Sequence, residues 1–321
     1  MGRVLLAPRR YVQGEGAIHE IGTHAARLGR NGLVVGGRRA LATCVDPIRA
    51  SLSASGIECR QEIFGGECSD KEIDRLVTIA KTHAIDFIVA AGGGKAIDAG
   101  KAAANILGVP VIVLPTIAAT DAPCSALSVI YTDDGVFQKV VVFPHNPDCV
   151  LVDTRIIANA PVATLVAGMG DALATFWEAD TCARSGKPNA LTGGTPPLRS
   201  AIAMARFCYD TLLEFGVQAK SDVESRRVTP ALEAIVEANT LLSGIGFESG
   251  GLAGAHSVHN GFTVLECTRH KLHGEKVAFG TLTQLVMEGR PTHEIHQVLD
   301  FCLSVGLPVC LNDLGVHNPT R

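Results

Sequence analysis

Residues 85–107 read Ile-Asp-Phe-Ile-Val-Ala-Ala-Gly-Gly-Gly-Lys-Ala-Ile-Asp-Ala-Gly-Lys-Ala-Ala-Ala-Asn-Ile-Leu and decide the fold class of the N-terminal half. The apolar run 85–91 is typical of a buried parallel strand, and the alanine-rich run 96–107 is typical of a helix. The glycines between them predict a tight turn whose backbone N–H groups approach an anion where the helix begins. We therefore expect this segment to form a pyrophosphate cradle at Gly93, Gly94 and Lys95.

The glycine turn departs from two common nucleotide-binding patterns. A Walker A loop carries Ser or Thr after its lysine, whereas Ala102 follows Lys101 here. A six-residue Rossmann pattern would have its third glycine where this chain has Ile97. The alternative that the turn binds no ligand stays open at this point.

Strand and helix patterns alternate through the rest of the N-terminal half. Residues 31–37 and 111–114 predict further buried strands, and residues 140–143 and 149–152 complete the set. The Ser69-Asp-Lys-Glu72 pattern predicts a capping box that opens a helix through Lys81. We therefore expect an α/β domain over residues 1–160, with a parallel, doubly wound sheet.

The sequence pattern changes after residue 160. Long alanine- and leucine-rich runs, with few β-branched clusters, cover residues 161–183, 198–215, 229–244 and 276–288. This composition favours helices over strands. We expect an all-helical domain over residues 161–321.

Three residues in this half combine the ligand types of a catalytic metal site. Asp171, His256 and His273 each lie among small residues and apolar helix. One carboxylate and two imidazoles leave one or two positions of a divalent ion open for substrate. These ligand types favour Zn²⁺ or Fe²⁺ over a thiolate site. A lone histidine in an apolar stretch is more often structural, so each residue alone is weak evidence.

Residues 115–131 follow a predicted strand and are rich in hydroxyls. Loops at the carboxyl ends of parallel strands bind ligands in open α/β sheets. The alternative is that these Ser and Thr residues cap turns. The candidate residues of this segment are Thr116, Asp121, Ser125, Leu127 and Tyr131.

The composition is that of an ordinary water-soluble enzyme. Hydrophobic residues make up 47% and charged residues 19%, and the net charge is −4. This charge gives no reason to expect nucleic acid or an anionic membrane as partner. The N-terminus lacks the pattern of a signal peptide, and the 10 cysteines show no CxxC spacing, which is typical of reduced thiols in the cytoplasm.

The motifs at residues 92–95, 115–131, 170–175, 246–252 and 273–282 closely resemble those of the metal-dependent (iron-type) alcohol dehydrogenase family, and within it the glycerol-oxidising branch. The resemblance runs from about Tyr11 to Pro308. It implies a dehydroquinate-synthase-like architecture, an NAD cofactor and a zinc ion held by Asp171, His256 and His273. The expected reaction is oxidation of glycerol or a similar small vicinal diol, giving dihydroxyacetone from glycerol. Asp121 would bind a substrate hydroxyl, and the pyrophosphate and nicotinamide would lie along Gly93, Gly94, Lys95, Thr116, Ser125, Leu127 and Tyr131.

Three departures from the family pattern matter. Relatives that prefer iron carry a histidine one helical turn after the aspartate, where this chain has Thr175. NAD-specific relatives carry an aspartate where this chain has Gly37, which leaves NADP possible as a cofactor because Arg38 follows. The family also continues with several helices beyond Pro308, so the helical domain looks shortened at its C-terminus.

Other functions remain open at this stage. A glycerol-1-phosphate dehydrogenase or a dehydroquinate-synthase-like lyase would need a cluster of basic residues for its phosphorylated substrate. The bases near the motifs are Arg269, Lys271 and Lys276, which favours a neutral polyol. A truncated chain that binds dinucleotide without turnover is the third possibility. We expect a homo-oligomer. The sequence does not determine the number of subunits, the preferred diol or the physiological metal.

Overall fold

The computed structural model describes residues 2–317 and divides the chain into two compact units. An α/β unit comprises Ala7–Ile117 and Ala122–Ala160. A helical unit comprises the described residues from Pro161 onward, the N-terminal residues up to Leu6 and the short segment Ala118–Asp121.

The α/β unit is built on a six-stranded parallel sheet with the order β1-β8-β5-β4-β2-β3. The chain moves outward from β2 to β3 and then returns to β4 on the other side of β2. The strand order therefore reverses between β2 and β4, which is where open α/β sheets bind ligands. The strands of the unit are β1 (Tyr11–Gly14), β2 (Asn31–Gly36), β3 (Glu58–Ile63), β4 (Phe87–Gly92), β5 (Val111–Pro115), β6 (Leu127–Tyr131), β7 (Phe137–Val142) and β8 (Cys149–Asp153).

The central strands of the sheet are buried on both faces, as in a doubly wound fold. Val34 of β2 belongs to the apolar cluster formed with the first helices of the chain. Its neighbours Leu33 and Val35 are also fully buried, although alternate strand residues point to opposite faces. The helices of this unit are α1 (Ile21–Ala25), α2 (Arg38–Ala54), α3 (Asp70–Thr82), α4 (Gly94–Leu107) and α5 (Thr154–Ala158).

Several local predictions for this unit need correction. Residues 140–142 do not join the parallel sheet, because β7 pairs antiparallel with β6 in a separate two-stranded sheet. The edge strands β1 and β3 were not predicted, since neither is a continuous apolar run. Ser69 does cap α3 by accepting from the N–H of Glu72. The Glu72 carboxylate instead accepts from the N–H of Gly65 and pairs with Arg75, so the reciprocal half of the capping box is absent.

The helical unit contains the four predicted helical runs and several further turns. A π-helical turn, Ala238–Leu242, joins two of its helices into one continuous rod. Its α-helices are α6 (Val162–Ser185), α7 (Arg199–Glu224), α8 (Pro230–Glu237), α9 (Ser243–Gly250), α10 (Gly254–Phe262), α11 (His273–Met287) and α12 (Thr292–Val305).

The predicted fold class, a parallel α/β half followed by a helical half, is confirmed. The predicted boundary at residue 160 differs from the observed units in two places. Segment Ala118–Asp121 packs with the helices because Asn239 donates from Nδ2 to the Ala118 carbonyl. The N-terminal residues do so because the N–H of Leu6 donates to Ser249. Between residues 2 and 317, the structure has no helix with the length and apolar character needed to cross a membrane.

Candidate functional site

The structure brings Asp171, His256 and His273 together in the helical unit. Each offers one ligand atom, and these atoms all lie within 4.8 Å of one another. Asp171 lies in the middle of α6, His256 lies on α10, and His273 is the first residue of α11. Helix α6 and the two consecutive helices α10 and α11, which lie far from it in sequence, therefore direct one carboxylate and two imidazoles to one point.

Two glycines beside the candidate ligands permit this approach. A Cβ atom on Gly170 would overlap the carbonyl oxygen of Gly274, and one on Gly274 would overlap the carbonyl oxygen of Ala167. The backbones of α6 and α11 can therefore touch only where side chains are absent. Because Gly170 precedes Asp171 and Gly274 follows His273, this contact sets the distance between the carboxylate and that imidazole.

Two buried side chains orient the imidazoles. Oε2 of Glu178 lies 2.6 Å from Nδ1 of His256, and Nε2 of His259 lies 3.0 Å from Nδ1 of His273. The Nε2 atoms of His256 and His273 then face Oδ1 of Asp171, at distances of 3.5 Å and 3.0 Å. A carboxylate on the far nitrogen of a metal-binding histidine fixes its tautomer and strengthens it as a ligand.

The electrostatics of this cluster keep Asp171 ionised. Burial alone would raise its pKa, but the neighbouring His273 and His256 outweigh burial and hold the pKa below its usual range. Burial likewise opposes the charged form of His256, yet the carboxylates of Glu178 and Asp171 raise its pKa well above the ordinary value. His259 has no such support, so burial and the nearby His273 lower its pKa to about 2. His259 is therefore neutral and can accept or donate a hydrogen bond.

The donor set fits a divalent metal ion. The carboxylate is 1% exposed, and the two imidazoles present Nε2 on the same side of it. A buried carboxylate with two oriented imidazoles suits Zn²⁺ or Fe²⁺, and the cluster contains no thiolate. The three residues would hold such an ion and leave part of its coordination shell open.

Asp121 lies beside the proposed ligands. Its backbone N–H donates to Oδ2 of Asp171 at 3.4 Å, and its own Oδ2 accepts from the hydroxyl of Ser243 at 2.9 Å. Burial raises the pKa of Asp121 well above the usual value, and the charge of Asp171 raises it further. Its carboxyl group could therefore form a hydrogen bond with a polar group of a ligand bound at the cluster of Asp171, His256 and His273.

The glycine turn of the α/β unit lies where the strand order reverses. Gly92 ends β4 with a φ of 146°, and Gly93 caps α4 without a side chain. A Cβ on Gly93 would come within 3.0 Å of Ile117, and one on Gly92 within 3.2 Å of Ala96. There is little room for a side chain at either glycine, and the backbone N–H groups at the start of α4 are of the kind that bind phosphate, so this turn fits a dinucleotide.

Gly37 lies at the equivalent point of the neighbouring strand. It follows β2 and caps α2 with extended backbone angles, φ −64° and ψ 156°. A Cβ at this position would have no heavy atom within 4 Å. The backbone at this position therefore has space for an aspartate side chain. With glycine here, the position offers no carboxylate to a ligand.

The remaining predicted cofactor residues have different surroundings. Thr116 follows β5 and donates its backbone N–H to the Gly92 carbonyl. Lys95 pairs with Glu67, with Nζ 2.6 Å from Oε2, and lies 5.0 Å from the centre of the Tyr131 ring. Burial raises the pKa of Tyr131 to about 12.

Ser125 and Leu127 belong to a segment held by a buried lysine. The hydroxyl of Ser125 is completely buried and lies 3.3 Å from Nζ of Lys101. The same ammonium group donates to the carbonyls of Ala122 and Leu127 and pairs with Asp98 at 3.1 Å. The hydroxyl of Ser125 therefore serves this internal network. Sequence reasoning missed the network, although Asp98 and Lys101 share a face of α4 at a spacing of three residues.

Comparison with known proteins agrees with this architecture. A family model described as iron-containing alcohol dehydrogenase matches residues 8–154. Glycerol dehydrogenase of Escherichia coli (strain CFT073) is 50% identical over 316 residues, which cover 98% of this chain and 86% of that protein. Glycerol dehydrogenase of Thermotoga maritima is 52% identical and covers 96% of this chain and 84% of the relative.

A solved structure extends the likeness to the backbone. The crystal structure of a probable glycerol dehydrogenase from Sinorhizobium meliloti has a TM-score of 0.93 and 43% identity, covering 99% of this chain and 87% of that one. Fold and relatives together define an oxidoreductase. The chain belongs to the iron-containing alcohol dehydrogenase family.

Proposed function

We propose that this chain oxidises glycerol and similar small vicinal diols in a zinc-dependent reaction that reduces NAD and yields dihydroxyacetone from glycerol. The observation that carries the proposal is the buried cluster of Asp171, His256 and His273 with Asp121 beside it, in a chain half identical to a glycerol dehydrogenase. When bound, zinc supplies a Lewis acid that makes a substrate hydroxyl more acidic. NAD supplies the hydride acceptor.

The residues of this chain would bind the metal ion, the substrate and the cofactor. Asp171, His256 and His273 hold the ion, and Glu178 keeps His256 in the tautomer that presents a lone pair on Nε2. The Asp121 carboxyl group would form a hydrogen bond with a second substrate hydroxyl and so favour a diol over a simple alcohol. The turn at Gly93 and Gly94 binds the pyrophosphate through backbone N–H groups at the start of α4.

The surroundings of the cluster favour a neutral substrate over a phosphorylated one. Lys271 lies 3.7 Å from a carboxylate oxygen of Glu275, and Lys276 is buried so that its pKa is lowered. A phosphate group would need a cluster of free cations, and of the three bases near the motifs only Arg269 is exposed. We further propose that the enzyme works in the cytoplasm as a homo-oligomer.

The test is glycerol-dependent reduction of NAD by the purified chain. We expect NADH formation that stops after exhaustive chelation and returns when zinc is added. A His293→Ala variant, which alters an exposed histidine of α12, should behave like the unmodified chain throughout. Full activity after chelation would refute the metal assignment. Binding of NADH with no turnover of any diol would identify the chain as a non-catalytic dinucleotide binder.

A further inference from the structure

The segment that carries Asp121 is fixed by one face of the rod formed by α8, the π-helical turn and α9. Asn239, in the π-helical turn, donates from Nδ2 to the Ala118 carbonyl at 3.0 Å and to the Leu165 carbonyl at 3.2 Å. A Cβ on Gly168 would overlap that same Ala118 carbonyl oxygen. The start of the segment is therefore held at a fixed depth against α6.

The end of the segment is held by a chain of buried hydroxyl groups. Oγ of Ser243 lies 2.9 Å from Oδ2 of Asp121 and 2.8 Å from Oγ1 of Thr175. Ser243 donates its single hydroxyl proton to Oδ2 of Asp121. Thr175 must then donate to Ser243. Both hydrogen bonds therefore run in the same direction, from Thr175 through Ser243 to Asp121.

The hydroxyl of Ser243 differs from that of Thr240, a buried residue of the same rod. Serine and threonine within helices commonly donate to the carbonyl four residues earlier. Thr240 does so, with Oγ1 2.6 Å from the Val236 carbonyl. Ser243 is equally buried, yet its hydroxyl contacts a carboxylate that is 122 residues away in sequence. π-Helical turns are frequent at functional sites, and this one immediately precedes Ser243.

We infer that Ser243 is a positioning residue that directs the Asp121 carboxylate toward the second hydroxyl of a diol, and that Thr175 fixes the direction of the Ser243 hydrogen bond. This inference rests on the function proposed above. It makes the preference for a diol depend on two buried hydroxyls that do not touch the substrate.

The test compares a diol with an alcohol that lacks the second hydroxyl. For Ser243→Ala we expect the KM for glycerol to rise about tenfold, because the hydrogen bond that orients the Asp121 carboxyl group is lost. The inhibition constant of 2-propanol against glycerol should stay within about twofold, since 2-propanol has no group for Asp121 to bind. Zinc content and the dissociation constant of NADH should be unchanged. Glycerol should also protect the variant less against thermal unfolding.

Matched variants separate positioning from a general loss of structure. Thr175→Val keeps the shape of the side chain and should raise the KM for glycerol in the same direction by a smaller factor. Thr240→Val removes a buried hydroxyl that donates to the Val236 carbonyl four residues earlier, and should change neither constant. In the double variant Ser243→Ala with Asp121→Ala, the serine substitution should have no further effect.

Each outcome decides one of the two claims. Equal weakening of glycerol and 2-propanol in Ser243→Ala would mean that Ser243 supports the fold and does not position Asp121. An unchanged KM for glycerol in Ser243→Ala would overturn the inference if Asp121→Ala raises that KM. An unchanged KM in Asp121→Ala would instead refute the proposed role of Asp121.

Discussion

Glu178→Gln tests how the candidate metal site is held together. Oε2 of Glu178 lies 2.6 Å from Nδ1 of His256, while Oε1 accepts the backbone N–H groups of Ala253 and His256 at 2.8 and 2.9 Å. Glutamine has nearly the same shape but only one oxygen. Its NH₂ group must therefore face either the imidazole or the two backbone donors.

Both orientations of the amide harm the site. If the NH₂ group faces Nδ1, the imidazole must accept there and carry its proton on Nε2, which blocks metal binding. If the NH₂ group faces the start of α10, two backbone donors meet a third donor, and a buried group left without its partner costs about 1–3 kcal/mol. We expect zinc affinity to fall by about 10–100-fold, the usual loss when such an orienting partner is changed.

The assay is competition for zinc between the protein and a chromophoric chelator. Glu214→Gln, an exposed change on α7, is the control and should leave zinc affinity unchanged. NADH binding should persist in both variants because the glycine turn lies in the α/β unit. Wild-type zinc affinity in Glu178→Gln would refute the reasoning, because the tautomer of His256 would then not matter.

Three further substitutions test the α/β unit. The aspartate of Gly37→Asp has space for its side chain. We expect the KM for NAD to fall about tenfold or more, the effect of a charge-assisted hydrogen bond of about 1.5–3 kcal/mol, and any use of NADP to decline. Unchanged kinetics with both cofactors would mean that another residue binds the ribose. Gly94→Val should raise the KM for NAD by about tenfold or more without loss of zinc, since it adds a branched side chain to the first residue of α4, where the pyrophosphate is proposed to bind. An unchanged KM would place the pyrophosphate elsewhere. Lys101→Met leaves Asp98 buried without its partner and should lower the free energy of unfolding by about 3–5 kcal/mol in denaturant titration; a loss no larger than that of exposed Lys81→Met would show that the buried pair contributes little.

The parallel core could be predicted because its signals are local. A buried central strand such as β4 is one continuous apolar run, and the glycines that follow it mark the turn into α4. The antiparallel pairing of β7 could not be predicted in the same way. Its run of valines resembles a central strand, but Val140 and Val142 are 46% and 53% exposed, and exposure depends on which strand lies alongside.

The candidate site was predictable in its ligand types but not in its supporting contacts. Asp171 and the two histidines attract notice by chemistry alone. Glu178 did carry a signal, since it lies seven residues after Asp171 and so two turns along the same face of α6. The contacts of Ser243 and Asn239 with segment Ala118–Asp121 carried none, because they join positions more than 100 residues apart in sequence.

The most direct test measures zinc per chain, NADH affinity and glycerol oxidation in the same preparations of His256→Ala and His273→Ala. We predict that both variants lose zinc and activity together while NADH affinity stays within about twofold of the unmodified chain. This result would tie the chemistry to the metal cluster and the dinucleotide to the other unit. Glycerol oxidation that continues at the normal rate in either variant without bound zinc would contradict the proposed function.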